Sequence, residues 1–361
     1  MKHPHLGVLL LLNVYLINAG NNTKVLKLVQ VLFRHGDRTP TETYPNDPYQ
    51  HWPEGWGTLT KLGKQQMYQL GQLLRKTYKD FLSEDYFSET VYVRSTEADR
   101  CIMSAQTLLA GLYPPTKDQT WNSNLLWQPI PVRYIPRNED NVIAMKKNCS
   151  LYDTALKHAY ETPRIKKIDE ENKDLYEYLS ASTGNKMNNI HAVELLYNTL
   201  EIEILNNLTL PEWTNNVSLD KLREIAKTNF AIFSDTTLMK RLTGGAFLNE
   251  ALSFMYKKIN STSKLDLVLY SGHDITIVTI TRTLGFEQLL KPKYGAFIVF
   301  ELYKNEDEDF EIEVLYGDSF ETPPQKFEME FCPTPCTLKN FVDRYKHVLP
   351  KDWEAECLNP Y

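Results

Sequence analysis

The 361-residue chain carries no Lys/Arg stripe, and its formal net charge is −6. A nucleic-acid-binding surface therefore leaves no footprint in it. Beyond the first twenty residues no stretch has the ~18 unbroken apolar residues that a membrane span needs. Neither an HExxH pair nor a Walker A loop occurs, which removes the commonest metal-hydrolase and nucleotide-binding signatures. Cysteines number only five. Two of them close the run CPTPC at 332–336, but no second Cys/His pair accompanies it to build a zinc site. There is no internal repeat and no low-complexity tract. The chain is 42% hydrophobic and 24% charged, close to globular averages. Its length suits one large domain or two ordinary ones, with a core that needs no staple.

The first residues, MKHPHLGVLLLLNVYLINAG, place Lys2 before an apolar run from Leu6 to Ile17, with the small Ala19 at a cleavage position. That is a signal-peptide pattern over residues 1–19, and it predicts a secreted protein. Sequons begin at Asn21, Asn148, Asn207, Asn216 and Asn260, in keeping with a glycosylated surface. An oxidising compartment favours disulfides, but an odd count leaves at least one cysteine over. Cys332 and Cys336 can close a tight loop. Cys101 sits in an apolar helical pattern and reads as a buried free thiol.

Three apolar runs read as buried strands: residues 25–33, 91–93 and 265–270. Each precedes a helical pattern. Leu62, Met67, Leu70, Leu73, Leu74 and Phe81 recur at helical spacing, with Thr60 as a candidate N-cap. Residues 96–112 and 275–284 follow the second and third strands. Such alternation predicts an α/β fold with a mostly parallel central sheet and helices on both faces. Residues 295–303 and 310–316 read as a hairpin, the acidic run 306–309 forming its solvated turn. From about 131 to 243 the chain is polar and helical without clear buried strands. The expected organisation is an α/β domain over 20–130 and 244–361, with a smaller, mainly helical cap inserted at 131–243.

In an open α/β sheet, ligands bind beyond the carboxyl ends of the strands. The three strands run into RHGDRTP (34–40), Arg94-Ser95-Thr96, and Ser271-Gly272-His273-Asp274. Three arginines, two histidines and an aspartate at one edge make a cationic pocket on an acidic protein. A compact dianion such as phosphate is its natural ligand. Arg34, Arg38 and Arg94 can each donate paired hydrogen bonds, and Gly36 lets the backbone approach closely. Such a pocket predicts phosphoryl transfer. His35 is the candidate nucleophile, kept neutral by its arginine neighbours. Asp274 is the candidate proton donor, and His273 a further phosphate donor. Asp37 is expected to face away and organise the loop.

At RHGDRTP the chain resembles the histidine acid phosphatases, the second branch of the histidine phosphatase superfamily. WPEGWGTLTKLGKQQMYQLG at 52–71, RSTEADRCIMSAQ at 94–106 and SGHD at 271–274 extend the resemblance over nearly the whole mature chain. It is nearest to the secreted prostatic- or lysosomal-type enzymes and to insect venom acid phosphatases. The resemblance implies His35 as nucleophile, Asp274 as proton donor, and Arg34, Arg38, Arg94 and His273 as phosphate ligands. It implies an acid phosphomonoesterase without metal or other cofactor, acting on small phosphate monoesters or phosphoproteins and often homodimeric. It also implies the pairs Cys149–Cys357 and Cys332–Cys336; a third family pair has no counterpart here. Membrane-bound relatives carry a C-terminal anchor, and none is expected in this chain. The location implied is extracellular, lysosomal, or a venom or salivary secretion. Two alternatives stand beside this reading. One is an inositol polyphosphate phosphatase on the same fold, to which the acidic composition lends no support. The other is a secreted binding protein that has lost turnover, although all six pocket positions are intact.

Overall fold

The computed structural model describes residues 24–358. The signal-peptide reading of 1–19 and the sequon at Asn21 lie outside them. In chain order the elements are β1 (Val25–Arg34), α1 (Lys61–Thr77), β2 (Val91–Thr96), α2 (Asp99–Leu112) and β3 (Arg133–Ile135). Next come α3 (Ser150–Tyr160), α4 (Pro163–Glu171), α5 (Lys173–Thr183), α6 (Ile190–Leu205), α7 (Leu219–Ile232), α8 (Thr237–Leu242) and α9 (Gly244–Ile259). The chain then returns to the sheet with β4 (Leu267–Gly272), α10 (Asp274–Thr283), β5 (Phe297–Lys304) and β6 (Phe310–Gly317). The two-residue strands β7 (Gln325–Lys326) and β8 (Cys336–Thr337) precede α11 (Leu338–Tyr345) and α12 (Trp353–Leu358).

The sheet runs β3-β2-β4-β1-β5-β6, with β7 and β8 both paired to β6. The four strands from β3 to β1 are mutually parallel. The hairpin β5–β6 then adds to β1 in the antiparallel sense, so the sheet is mixed beyond that strand. Its turn closes through the Asn305 N–H to Asp309 carbonyl bond at 2.9 Å, over the acidic run.

Period-two alternation divides β1 between two cores. Val29, Val31 and Phe33 pack with Met67 and Leu70 of α1 and Leu108 of α2. Leu28 and Leu32 face the other way, toward Phe247 of α9 and Ile277 and Ile280 of α10. Burial on both faces explains why this strand is apolar almost throughout. Thr60 caps α1, its hydroxyl accepting the Gly63 N–H at 3.0 Å.

Helices α3 to α8 bury a separate cluster that includes Tyr176, Leu179, Val193, Leu200 and Leu222, and Tyr44 from the loop after β1 joins it. The segment 131–243 nevertheless begins as sheet material. β3 pairs with β2, and Val142 and Ile143 pack in the core beside β1 and β4. A three-residue strand with two exposed side chains offers no apolar run to read. Cys149 is joined to Cys357 and Cys332 to Cys336, while Cys101 is free and buried. Asn148, Asn207, Asn216 and Asn260 are all exposed. No described helix is long and apolar enough to cross a membrane.

Candidate active site

β1, β4 and β2 end side by side, and the His35 N–H to Gly272 carbonyl bond at 3.0 Å ties the first two ends together. The loop that leaves β1 turns against the start of α1. A Cβ on Gly36 would lie 2.3 Å from the Gly63 carbonyl oxygen, so the close backbone approach that Gly36 permits is to the helix. Asp37 sits beneath that contact. Its carboxylate accepts from the Thr60 hydroxyl at 2.6 Å and from Asn206 at 3.2 Å, and its N–H donates to Gln66 at 2.7 Å. It organises the loop and does not enter the cavity, as its place in the motif suggested.

The cavity above these strand ends has a volume of about 340 Å³, and His35, Arg38, Arg100, His273 and Asp274 line its floor. His35 is almost fully buried. Its Nδ1 lies 2.8 Å from the Gly36 carbonyl oxygen. A carbonyl can only accept, so Nδ1 carries the proton and Nε2 presents its lone pair. Arg100 Nε donates to that Nε2 at 3.2 Å. Burial, then Arg100, Arg34, His273 and Arg38, hold the imidazole well below the ordinary histidine value. Both causes favour the neutral imidazole.

His273 precedes α10, and its N–H donates to the Thr276 hydroxyl at 3.3 Å. Its Nε2 is 3.2 Å from the Thr96 hydroxyl, and its ring meets that of His35 edge-on with centroids 5.5 Å apart. Burial and Arg100 likewise lower it. The N-terminal end of α10 therefore brings its partial positive charge to the floor. Asp274, in the first turn, pairs through Oδ2 with Arg34 at 2.8 Å and accepts the Ile275 N–H at 2.8 Å. Burial pushes this carboxyl up, but Arg34, Lys291 and His273 outweigh it and hold it below the usual carboxylate value.

Two arginines do not stand where the motif reading put them. Arg34 is buried under the floor, not on the cavity lining. It donates to the Pro292 carbonyl at 2.6 Å, pairs with Asp274, and stacks 3.9 Å over the Tyr294 ring. Arg94 is also absent from the lining. Its guanidinium is bound to Asp140 at 2.7 Å and to Glu250 at 2.5 Å. The reason is the length of β2. The strand continues to Thr96, so Arg94 lies within it and projects from a face of the sheet. The arginine that reaches the cavity is Arg100, in the first turn of α2. Sequence reasoning missed it by taking the first residue after the apolar core VYV as the strand end. The stretch RSTEADR holds both arginines: the first lies inside the strand, which ends at Thr96, and the second falls in the first turn of the helix that follows.

The opposite wall comes from α6 and α7, through Glu194, Asn198 and Phe230. Glu194 accepts from the Asn198 amide and lies 3.7 Å from His191 Nδ1. Burial, reinforced by Asp274, pushes this carboxyl up to about 7. Nothing in the sequence pattern singled it out, because a glutamate on an amphipathic helix is ordinarily solvated.

Parallel strand ends that gather a neutral imidazole, arginines and a helix N-terminus define a phosphoryl-binding α/β protein. Residues 25–317 match the model of the histidine phosphatase superfamily, branch 2, and the chain belongs to that family. It is 36% identical over 348 residues to the prostatic acid phosphatase of Bos taurus, covering 94% of this chain and 90% of the relative. It is 34% identical to the lysosomal acid phosphatase of Rattus norvegicus, covering 92% and 80% of the two chains. Among solved structures the apo phytase of Hafnia alvei superposes with a TM-score of 0.69 at 16% identity, over 93% of this chain and 99% of that one, a likeness of fold.

Proposed function

We propose that the protein is a secreted acid phosphatase that hydrolyses phosphate monoesters through a phosphohistidine on His35, without a metal. What carries this is the tautomer of His35 in the cavity lining: Nδ1 is committed to the Gly36 carbonyl, so the lone pair is on Nε2, where Arg100 Nε holds it at 3.2 Å until the phosphoryl group takes up that guanidinium. The substrate phosphoryl group sits among Arg38, Arg100, His273 and the start of α10. These groups neutralise its nonbridging oxygens as charge redistributes. Arg34 acts from below by holding Asp274 in place and adding positive charge.

His35 Nε2 forms the bond to phosphorus as the ester P–O bond breaks. The leaving oxygen takes its proton from Asp274. Water then attacks the phosphohistidine, Asp274 receives the water proton, and inorganic phosphate is released. Asp274 must be protonated for the first step, yet Arg34 depresses it. A bound phosphate compensates the cations and adds like charge nearby, which raises the carboxyl. Proton and substrate thus bind together, and activity is expected to peak at about pH 4–6 while His35 stays neutral.

The test is hydrolysis of phenyl phosphate by the secreted protein across acid to neutral pH with excess chelator, with acid-quench trapping of a phosphoprotein. Turnover with a labelled His35 supports the reading. Dependence on added zinc or magnesium overturns the metal-free route, and binding without turnover leaves a secreted binding protein on this fold.

A further inference from the structure

Beyond its floor, the cavity opens between two cations that the chemistry above does not use. Arg137 and Lys146 both line it, and both are exposed, so they belong to its mouth. Neither side chain has an ion-pair partner among the described residues. At Lys146 burial and then the nearby charge of Arg137 lower the ammonium, and the weaker attraction of Asp153 does not offset them, so two like charges stand close. The loop that carries them is held from beneath. Asp140 accepts the N–H groups of Val142, Ile143 and Ala144 at 2.9, 3.0 and 3.1 Å and is itself paired with Arg94. The Lys146 N–H closes on the Asp140 carbonyl at 2.9 Å, and the Arg137 N–H donates to Glu97 at 2.8 Å.

Three acids face the same space. Glu97 is engaged by the Arg137 backbone and Asp274 by Arg34. Glu194, pushed up to about 7, is uncharged in acid solution. A backbone N–H does not cancel the charge of Glu97, but Arg137 and Lys146 are two cations against it, so the mouth is net cationic where the enzyme works. A volume of about 340 Å³ lies at the lower end of those that small-molecule ligands fill, which leaves room for a leaving group beyond the phosphoryl.

We propose that Arg137 and Lys146 form a second anion subsite, so that the preferred substrates are small phosphate monoesters whose leaving group carries a further carboxylate or phosphoryl group. This rests on the phosphatase reading of the floor and deepens it.

The experiment measures kcat/KM at about pH 5 and low salt for phenyl phosphate, para-carboxyphenyl phosphate and para-phenylene bisphosphate. It uses the unaltered protein, the double variant Arg137→Ala/Lys146→Ala, and Lys264→Ala, which alters a lysine paired with Glu89 at the far end of the sheet. The charged substrates should be favoured by the unaltered protein and by Lys264→Ala. In the double variant the preference should fall about five- to tenfold, chiefly through KM, and added salt should erode it. A gain confined to the bisphosphate assigns the second group as phosphoryl, and a gain with the carboxylate assigns it as carboxylate. Equal kcat/KM for all three substrates, or a preference that survives the double substitution, overturns the subsite. Failure to hydrolyse phenyl phosphate would instead strike the phosphatase reading. In that case calorimetry with phenylphosphonate and para-carboxyphenylphosphonate measures the same preference without turnover, and equal affinities or no binding overturn the proposal.

Discussion

The floor and the mouth of the cavity handle charge in opposite ways. Beneath the floor Arg34 is tied to Asp274 and a carbonyl, and on it Arg100 donates to His35. Buried charges without such partners are costly, so the groups there hold one another in a single arrangement. At the mouth Arg137 and Lys146 remain in water, where a pair of like charges costs little and an arriving anion gains. The floor is built for one fixed group and the mouth for a variable one. Substitutions on the floor should therefore be felt in kcat or in stability, and those at the mouth in selectivity.

The largest effect should come from His35→Ala. Loss of the nucleophile is expected to cut kcat by about a thousandfold or more, and steady-state turnover of phenyl phosphate measures it. Residual activity close to that of the unaltered protein would place the nucleophile elsewhere.

The two arginines of RSTEADR sharpen the contrast further. Arg100→Ala should lower kcat by roughly 10²–10³-fold, the cost of losing a donor to the reacting oxygens. Arg94→Ala strips the partner from Asp140 and Glu250 and should destabilise the fold by about 3–5 kcal/mol. Denaturant melts set beside kinetics on the folded fraction separate the two. If Arg94→Ala proved stable and inactive, the assignment would have to be exchanged.

The smallest effect, on the wall between the two regions, is pH-dependent. Glu194 is held at about 7 in the fold against an ordinary 4.5. Below about pH 4.5 both states are protonated and the group is neutral in its effect. Between that value and 7 the unfolded chain releases the proton while the folded chain keeps it, so stability falls as pH rises, by up to roughly 3 kcal/mol. Glu194→Gln should flatten this part of the stability profile and stabilise the protein near neutrality. Unfolding midpoints taken across the window test it, and a slope unchanged by the substitution counts against the buried, neutral carboxyl.

The floor was legible in the sequence because its residues follow apolar strands. His35, Arg38, His273 and Asp274 all meet at the predicted edge. Arg94 misled because the polar end of β2, Arg94 to Thr96, has no apolar signal to mark it as strand. Thr60 was readable from local pattern alone, and the pair Cys332–Cys336 from close spacing together with the family resemblance. The mouth was not. Arg137 and Lys146 come from an irregular loop shaped by one buried carboxylate, and Glu194 is a polar residue on a helix that buries it beside Asn198 and Asn229. Such positions depend on tertiary contacts that periodicity does not encode.

The anchoring of that loop has a consequence for how the protein can change. Asp140 and Arg94 fasten the segment from beneath, and the Thr276 hydroxyl, which accepts the His273 N–H, donates to the Ile143 carbonyl at 2.9 Å, so most of the anchor lies outside the floor and one link of it reaches His273. The two exposed side chains above the anchor, Arg137 and Lys146, take no part in it and can be exchanged without loosening it. Side chains at 137 and 146 are then the positions where substrate range can vary while the anchored backbone beneath them keeps its course.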